Sequence, residues 1–253
     1  MLKSHCGDFQ PTSSDHLKMI KRIIPHSLKN TINRALDCLT WDQWVNRSWS
    51  QEGEDMVLRR IFENKKTGIY IDVGAHHPKR FSNTYLFYQL GWQGINIDAM
   101  PGSMQLFNKW RPRDINLEMG VAQATGTLDY YIFNEKALNG FSTDLSRERD
   151  HASNSYSINE VIRVDVYPLS EILDKHLIHK NIDFLTVDVE GLDLDVLKSN
   201  DWSKYRPSYV LAEVLKCSLH DLEHDMLVRF MKNAGYNIYA KQVNTVFFKD
   251  ASD

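Results

Sequence analysis

The sequence has little of what marks several classes of protein. Its three cysteines, Cys6, Cys38 and Cys217, are widely spaced and form no C-x-x-C pair, which argues against a disulfide framework or a zinc site. No apolar run approaches the ~20 residues of a membrane-spanning helix. The net charge is −3, so the chain has no general excess of positive charge, and we expect no nucleic-acid partner.

The N-terminal part of the chain differs in character from the rest. Residues 1–16 are polar and lack the apolar core of a signal peptide, which together with the cysteine pattern predicts a cytoplasmic protein. Residues 17–39 alternate apolar side chains with lysine and arginine. Such a segment can lie on the anionic inner face of a membrane, or it can pack on the rest of the protein as a helix with a solvated basic side. The sequence leaves both alternatives open.

Length and composition predict one main domain with a short appendage. A chain of 253 residues, 42% of them hydrophobic, is sufficient for one well-buried α/β domain but short for two. We place a basic extension that contains Trp41, Trp44 and Trp49 at residues 1–49, and the main domain at residues 50–253.

Residues 68–78, GIYIDVGAHHP, predict a buried strand that ends at a glycine turn. Asp72 interrupts the apolar run, and a carboxylate in a buried strand is costly unless it is paired. We therefore expect Asp72 to face the carboxyl end of the strand rather than the core. Gly74 allows the backbone to turn sharply and a ligand to approach closely.

A second apolar run, residues 94–98, ends in Asp98, 24 positions after Gly74. This is where nucleotide-binding βαβ units place the acid that binds a ribose. Residues 82–90 predict the crossover helix between the two strands, with Ser82 or Asn83 as its cap. A full G-x-G-x-x-G run is absent, which argues against a dinucleotide. A nucleoside without phosphates, such as S-adenosylmethionine, needs only the ribose acid and an apolar slot.

Two later strands also carry acids near their ends. Residues 182–189 form an apolar run that contains Asp188 and is followed by Glu190 and Gly191. Packing alone does not explain two acids at this place, which indicates a functional site. Glu213 lies within the apolar run of residues 208–215, and it is equally explained as a satisfied structural acid.

The rest of the chain alternates predicted strands and helices. Strands are predicted at 115–122, 126–133 and 161–166, helices at 169–177, 192–197 and 219–234, and an antiparallel hairpin at 236–241 and 243–249. Residues 136–159 are rich in polar and charged side chains and predict a surface excursion that faces a substrate.

Taken together, these motifs resemble the FkbM family of methyltransferases. The resemblance rests on SQEGED (50–55), YIDVGAHHP (70–78), SNT (82–84), GWQGINIDAMP (91–101), RPRDINL (111–117) and IDFLTVDVEGLDLDVLKSNDW (182–202). It implies the seven-stranded Rossmann-like sheet of class I methyltransferases, with helices on both faces and a C-terminal antiparallel hairpin. It also implies S-adenosylmethionine as the methyl donor.

The resemblance implies a division of the site into a donor half and an acceptor half. The donor half would comprise Asp72, Gly74, Ala75, His76, Asn83 and Asp98, with Asp72 and Gly74 at the methionine side and Asp98 at the ribose. Asp188, Glu190 and Glu213 would be the catalytic residues. An alternative gives Asp188 and Glu213 a Mg²⁺ ion that acidifies the acceptor hydroxyl. His76 and His77 are alternative bases.

The expected activity is transfer of a methyl group to a hydroxyl of a sugar, a glycan intermediate or a secondary metabolite, as in glycan biosynthesis. The alternative is a methyltransferase-like module without catalysis that binds glycan or membrane. The acids at 72, 98, 188 and 190 argue against the alternative, because a binding module has no need of carboxylates at strand ends.

Overall fold

A computed structural model describes residues 45–152, 155–177 and 181–252. By its internal contacts the chain divides into Met1–Arg47 and Ser48–Asp253, and the fold below is that of the second unit. The segment predicted to contact a membrane, residues 17–39, lies outside the described residues, as do Trp41 and Trp44. The division predicted after residue 49 stays a prediction.

Helices and strands alternate along the second unit. In chain order they are α1 (Glu54–Ile61), β1 (Ile69–Val73), α2 (Tyr85–Gln89), β2 (Gln93–Asp98), α3 (Ser103–Trp110), β3 (Ile115–Glu118), β4 (Gly120–Val121), β5 (Gly126–Phe133), α4 (Thr143–His151), β6 (Ile158–Tyr167), α5 (Leu169–His176), β7 (Phe184–Val187), α6 (Asp193–Lys198), β8 (Tyr209–Glu213), α7 (Met226–Asn233), β9 (Tyr236–Gln242) and β10 (Thr245–Asp250). Short 3-10 turns cover Lys136–Leu138 and Leu222–His224.

Seven strands form one sheet in the order β3-β2-β1-β7-β8-β10-β9. Neighbours from β3 to β8 are parallel, while β10 runs antiparallel to both β8 and β9. The order reverses between β1 and β7, and ligands of open α/β sheets bind at the carboxyl edge beside such a reversal. The predicted class I methyltransferase fold, with its C-terminal hairpin, is confirmed.

Both faces of the sheet are covered, which explains why its central strands are almost wholly apolar. Successive strand residues face opposite sides: Tyr70 and Phe184 pack with Leu58 of α1 and with α2. Ile71 and Leu185 pack on the other side with α5, α6 and α7. Within the described residues, no helix is both long enough and apolar enough to cross a membrane.

Several predicted boundaries were wrong. The strand predicted at 115–122 breaks at Met119, and its second half, β4, joins β5 and β6 in a separate three-stranded sheet. The excursion predicted at 136–159 contains the helix α4 and the start of β6. The helices predicted at 82–90 and 219–234 begin later, at Tyr85 and Met226. The two helix errors share a cause, because residues that precede the regular apolar stripe were counted into the helix.

Candidate active site

A cavity of about 420 Å³ opens at the carboxyl edge of the sheet, beside the reversal between β1 and β7. The ends of β1 and β2 and the residues after β7 and β8 form its floor. The segment between β5 and β6 forms one wall, with residues 135–141, Arg149 and Tyr156. The polar excursion predicted from the sequence therefore lines the cavity. A volume of this size lies within the usual range for small-molecule sites.

The turn after β1 requires a glycine. Gly74 has a φ of 84°, and a Cβ added to it would lie 1.8 Å from the carbonyl oxygen of Asp188. The N–H groups of Gly74 and Ala75 both donate to the carbonyl of Ile97, at 3.0 and 3.1 Å. The turn is thus fixed to β2 and pressed against the segment that follows β7, which brings the two halves of the site together.

Asp98, at the end of β2, lines the cavity. Its carboxylate accepts hydrogen bonds from the backbone N–H of His76 at 2.8 Å and of Met100 at 2.9 Å. Burial raises the pKa of Asp98, whereas these two N–H groups lower it. The carboxylate is 8% exposed and lines the cavity. It therefore keeps acceptor capacity for hydroxyl groups of a ligand.

The surroundings of Asp98 fit a nucleoside. Ile97, Ala99, Val121 and Tyr130 line the same cavity and offer apolar contact area for a base. A carboxylate beside an apolar slot, without a glycine-rich phosphate loop, matches a ligand that has a ribose and a base but no phosphate. These residues could hold the adenosine part of S-adenosylmethionine.

Three carboxylates that line the cavity meet after β7 and at the end of β8. Ligand atoms of Asp188, Glu190 and Glu213 all lie within 4.8 Å of one another. Burial raises the pKa of Asp188 well above its ordinary value, and the charges of Glu213 and Glu190 add to this effect. Burial, Glu190 and Asp193 raise the pKa of Glu213 to about 7. Asp188 is surrounded by protein yet exposed to the cavity, so it is accessible to a ligand.

Glu190 is held in place from two sides. Its backbone has a φ of 55°, followed by Gly191 at 94°. Arg149, from α4, donates to its carboxylate at 2.5 Å. Burial raises the pKa of Glu190, and the Arg149 guanidinium opposes that rise. A non-glycine residue in the left-handed region is uncommon and often marks a functional site; His76 and Phe81, which also line the cavity, have φ values of 52° and 58°.

This carboxylate cluster can perform two kinds of chemistry. A carboxylate with a raised pKa is a stronger base near neutral pH than an ordinary one, and it can take a proton from a hydroxyl. Three carboxylates at this spacing can also hold a hard divalent cation with oxygen ligands.

The predicted site residues divide into those that line the cavity and those that do not. Gly74, His76, Asp98, Asp188, Glu190 and Glu213 line it. Asn83 donates to the Thr186 hydroxyl at 3.0 Å and lines an adjoining recess of about 30 Å³ with Asp188 and Glu213. Ala75 is buried, at 4% exposed, and packs with Met104 and Phe107. His77 faces a second cavity.

The predicted orientation of Asp72 was wrong. Its carboxylate is buried and accepts a hydrogen bond from the Thr84 hydroxyl at 2.6 Å. Arg111 and Thr84 oppose the effect of burial, which raises the pKa of Asp72 to about 6. Arg111 itself is 0% exposed and pairs with Asp114 at 2.8 Å. The buried Arg111 supplies a compensating positive charge close to Asp72 in the core.

Other site residues were not predicted. Arg149 lies in the polar excursion, where sequence alone offers no partner for it. Asp193 is buried one turn beyond Glu190 and accepts from the Glu213 N–H at 3.4 Å. Burial and the charge of Asp188 raise its pKa well above the ordinary value. The acidic repeat after β7 was a signal for Asp193, whereas Arg149 required the tertiary structure.

Comparison with known proteins identifies the family of the chain. The family model for the methyltransferase FkbM domain matches residues 72–238. No curated protein sequence matches the chain. Solved structures that resemble it include a putative O-methyltransferase from Klebsiella pneumoniae (11% identity, 93% of this chain and 95% of that one, TM-score 0.38). Another is a TehB-like SAM-dependent methyltransferase from Corynebacterium glutamicum (9%, 88% and 97%, TM-score 0.39).

A third similar structure is the 1,6-didemethyltoxoflavin-N1-methyltransferase of Burkholderia thailandensis, solved with 1,6-didemethyltoxoflavin and S-adenosylhomocysteine (9% identity, 97% of this chain and 93% of that one, TM-score 0.42). All three structures are too distant to indicate the family of the chain. The family is shown by the match over residues 72–238, and the strand order agrees with it. The chain belongs to the FkbM family of methyltransferases, and it is a methyltransferase that uses S-adenosylmethionine.

Proposed function

We propose that this protein transfers a methyl group from S-adenosylmethionine to a hydroxyl oxygen of a sugar or glycan intermediate. The observation that carries the proposal is one cavity that is lined both by Asp98 and by the cluster of Asp188, Glu190 and Glu213. A donor site and a proton acceptor then line the same cavity.

The donor is held by the residues around Asp98. The carboxylate of Asp98 accepts hydrogen bonds from the ribose hydroxyls, while Ile97, Ala99 and Val121 contact the base. The sulfonium of the bound donor supplies an electrophilic methyl group and a neutral leaving group. Methyl transfer is an in-line displacement, so the main task of the protein is to align the acceptor oxygen.

Asp188 is our candidate general base. Methylation of a hydroxyl releases a proton, and an unperturbed carboxylate is a weak base for it. Burial and two neighbouring carboxylates make Asp188 hold a proton more tightly, which matches it better to a hydroxyl. Glu190 and Glu213 then share the proton with Asp188, and Arg149 keeps Glu190 in position.

The walls of the cavity suit a sugar. Carboxylates accept hydrogen bonds from neighbouring hydroxyl groups, and aromatic rings pack on the apolar face of a pyranose. The rings of Phe81 and Tyr156 line the cavity and are 40% and 42% exposed. We propose that they form the platform on which the sugar lies.

A divalent cation is the second way to activate the hydroxyl. Asp188, Glu190 and Glu213 would hold Mg²⁺, and the ion would lower the pKa of the acceptor hydroxyl. Saturating Mg²⁺ should then raise the methyl-transfer rate, and the rate should fall with a chelator. A rate that does not depend on Mg²⁺ supports Asp188 as the base.

Calorimetric titration with S-adenosylmethionine and S-adenosylhomocysteine tests the donor site. The wild type should bind both, and Asp98→Ala should lose about 100-fold in affinity, the equivalent of two hydrogen bonds to a charged group. Asp129→Ala is the matched control, because Asp129 is exposed on β5, away from the cavity. Equal affinity in the two variants would contradict the assignment of Asp98.

The acceptor half is tested by transfer of a labelled methyl group to a panel of sugars and glycan intermediates. Asp188→Asn should bind donor like the wild type but transfer methyl at least about 100-fold more slowly, the usual range for loss of a general base. A wild-type protein that binds donor and glycan but never transfers methyl would favour the binding module instead.

A further inference from the structure

The cavity has a cationic side as well as an acidic end. Arg80 and Lys136 line it together with His76, and neither Arg80 nor Lys136 belongs to the carboxylate cluster. A second cavity of about 430 Å³ adjoins it and is lined by the same three residues, by Asp98 and by His77. The two cavities therefore share a wall, to which the turn after β1 contributes His76 and Arg80 and the Lys136–Leu138 turn contributes Lys136.

Lys136 is available for a ligand. Its side chain is exposed, and within the described residues it has neither a hydrogen bond nor an ion pair with another side chain. Arg80 donates to Glu135 at 3.1 Å. Glu135 also accepts a hydrogen bond from the N–H of Ala137, so part of its acceptor capacity is used within the turn that carries Lys136.

The two histidines add donors rather than charge. The Nδ1 atom of His77 accepts from the N–H groups of Lys79 and Arg80, at 3.0 and 2.9 Å. Its proton therefore lies on Nε2, which is free to donate. Burial lowers the pKa of His76 to about 4, and the charges of Arg80 and His77 contribute to that shift. The acids that face this space are Glu135 and Asp98, and Asp98 already accepts two backbone N–H groups.

We propose that the space between Lys136, Arg80 and His77 binds a phosphoryl group carried by the sugar acceptor. This inference rests on the proposed function and narrows its substrate class to sugars linked to phosphate or diphosphate. Arg80 and the imidazole N–H of His77 come from the turn after β1, and Lys136 comes from the Lys136–Leu138 turn. Donors from two segments suit a tetrahedral anion with several acceptor oxygens. The hydroxyl to be methylated would lie toward the carboxylates, which repel the phosphoryl group and so set the direction of the acceptor.

Calorimetric titration tests the proposal. Inorganic pyrophosphate, glucose 1-phosphate and, for comparison, glucose are each titrated into the protein in the presence of saturating S-adenosylhomocysteine. Pyrophosphate and glucose 1-phosphate should bind the wild type at least about tenfold more tightly than glucose, and Lys136→Gln should lose about tenfold of that affinity. Lys66→Gln is the matched control, because Lys66 is an exposed lysine just before β1, at the amino edge of the sheet.

Several results would overturn the proposal. These are the absence of pyrophosphate binding, equal affinities in the two lysine variants, or a loss of S-adenosylhomocysteine affinity in Lys136→Gln as large as the loss for pyrophosphate. The last result would assign Lys136 to the donor. Failure of the proposed function is distinguishable, since it appears as absent transfer of the labelled methyl group to any sugar of the panel, whereas pyrophosphate binding is measured without methyl transfer.

A further comparison distinguishes the sources of the phosphoryl group. Uridine diphosphate glucose and vesicles of phosphatidylglycerol are offered to the wild type and to Lys136→Gln. Stronger binding of the nucleotide sugar, lost in the variant, indicates a soluble activated sugar. Vesicle binding lost in the variant indicates a lipid-linked sugar.

Discussion

The close approach of Gly74 to Asp188 leads to a prediction with an internal control. Gly74→Ala places a Cβ 1.8 Å from the carbonyl oxygen of Asp188, where real contacts are at least 3.0 Å. Gly91 has a similar φ, 97° against 84°, but a Cβ there has nothing within 4 Å. Both changes replace glycine by alanine in the left-handed region, so the unfolded chain is affected alike and the difference isolates the clash.

The expected magnitudes follow from this geometry. Gly91→Ala should cost about 1–2 kcal/mol, the price of a left-handed alanine. Gly74→Ala carries the same cost and a further ~1–3 kcal/mol for overpacking. The turn after β1 must also move by more than 1 Å from the segment that holds Asp188. Because misplacement of about 1 Å can reduce a rate by about 100-fold, methyl transfer should fall by that factor in Gly74→Ala alone.

Urea denaturation gives the two free energies of unfolding, and calorimetry with S-adenosylhomocysteine gives donor affinity. Gly91→Ala should bind donor like the wild type, and Gly74→Ala should bind it weakly. If both variants lose the same stability and Gly74→Ala keeps normal binding and transfer, the turn does not hold the two halves of the site together, and the reasoning is refuted.

Two further predictions concern buried charge. The pKa of Glu213 is raised to about 7 from 4.5, so between these pH values the folded state retains a proton that the unfolded chain has lost. The melting temperature should therefore fall as the pH rises from about 5 to 7, and Glu213→Gln should weaken that pH dependence. Arg111→Met leaves the buried Asp114 carboxylate uncompensated and should cost about 3–5 kcal/mol in urea denaturation. The exposed ion pair of Arg60 provides the control, and Arg60→Met should cost less than about 1 kcal/mol; similar costs for the two arginines would contradict the buried network.

Much of the sheet could be predicted because its strands are apolar on both faces. The runs that contain Ile71 and Leu185 can only be buried, and each has an acid and a glycine near its carboxyl end, so these ends identify one edge of the sheet. Parallel strands share that edge, and the family resemblance assigned Asp98 to the donor half of a site there and Asp188 and Glu213 to its catalytic half. Their convergence follows from topology, which short sequence patterns specify well.

The contacts that orient individual side chains could not be predicted from the sequence. Asp72 was expected at the cavity because a buried carboxylate needs a partner, and that requirement is correct. The partners are Thr84 and, through charge, Arg111, 39 positions away in the chain. Lys136 and Arg149 lie in a polar segment without periodicity, where composition indicates exposure but gives no direction. Only the fold shows that this segment is a wall of the cavity.

The two groups of acids at this edge differ in what compensates their burial, and this difference suits them to different tasks. Two backbone N–H groups donate to Asp98 and oppose the rise in its pKa that burial causes. They favour the ionised form, which can accept hydrogen bonds from hydroxyl groups. Asp188 faces Glu190 and Glu213 instead, so each negative charge makes the next more costly and a proton is retained among them. Environments that make the pKa values of nearby carboxylates differ in this way separate an acid that binds a ligand from an acid that transfers a proton. A donor held at Asp98 and a hydroxyl presented to Asp188 would then meet between them, and this arrangement favours catalysis over binding alone.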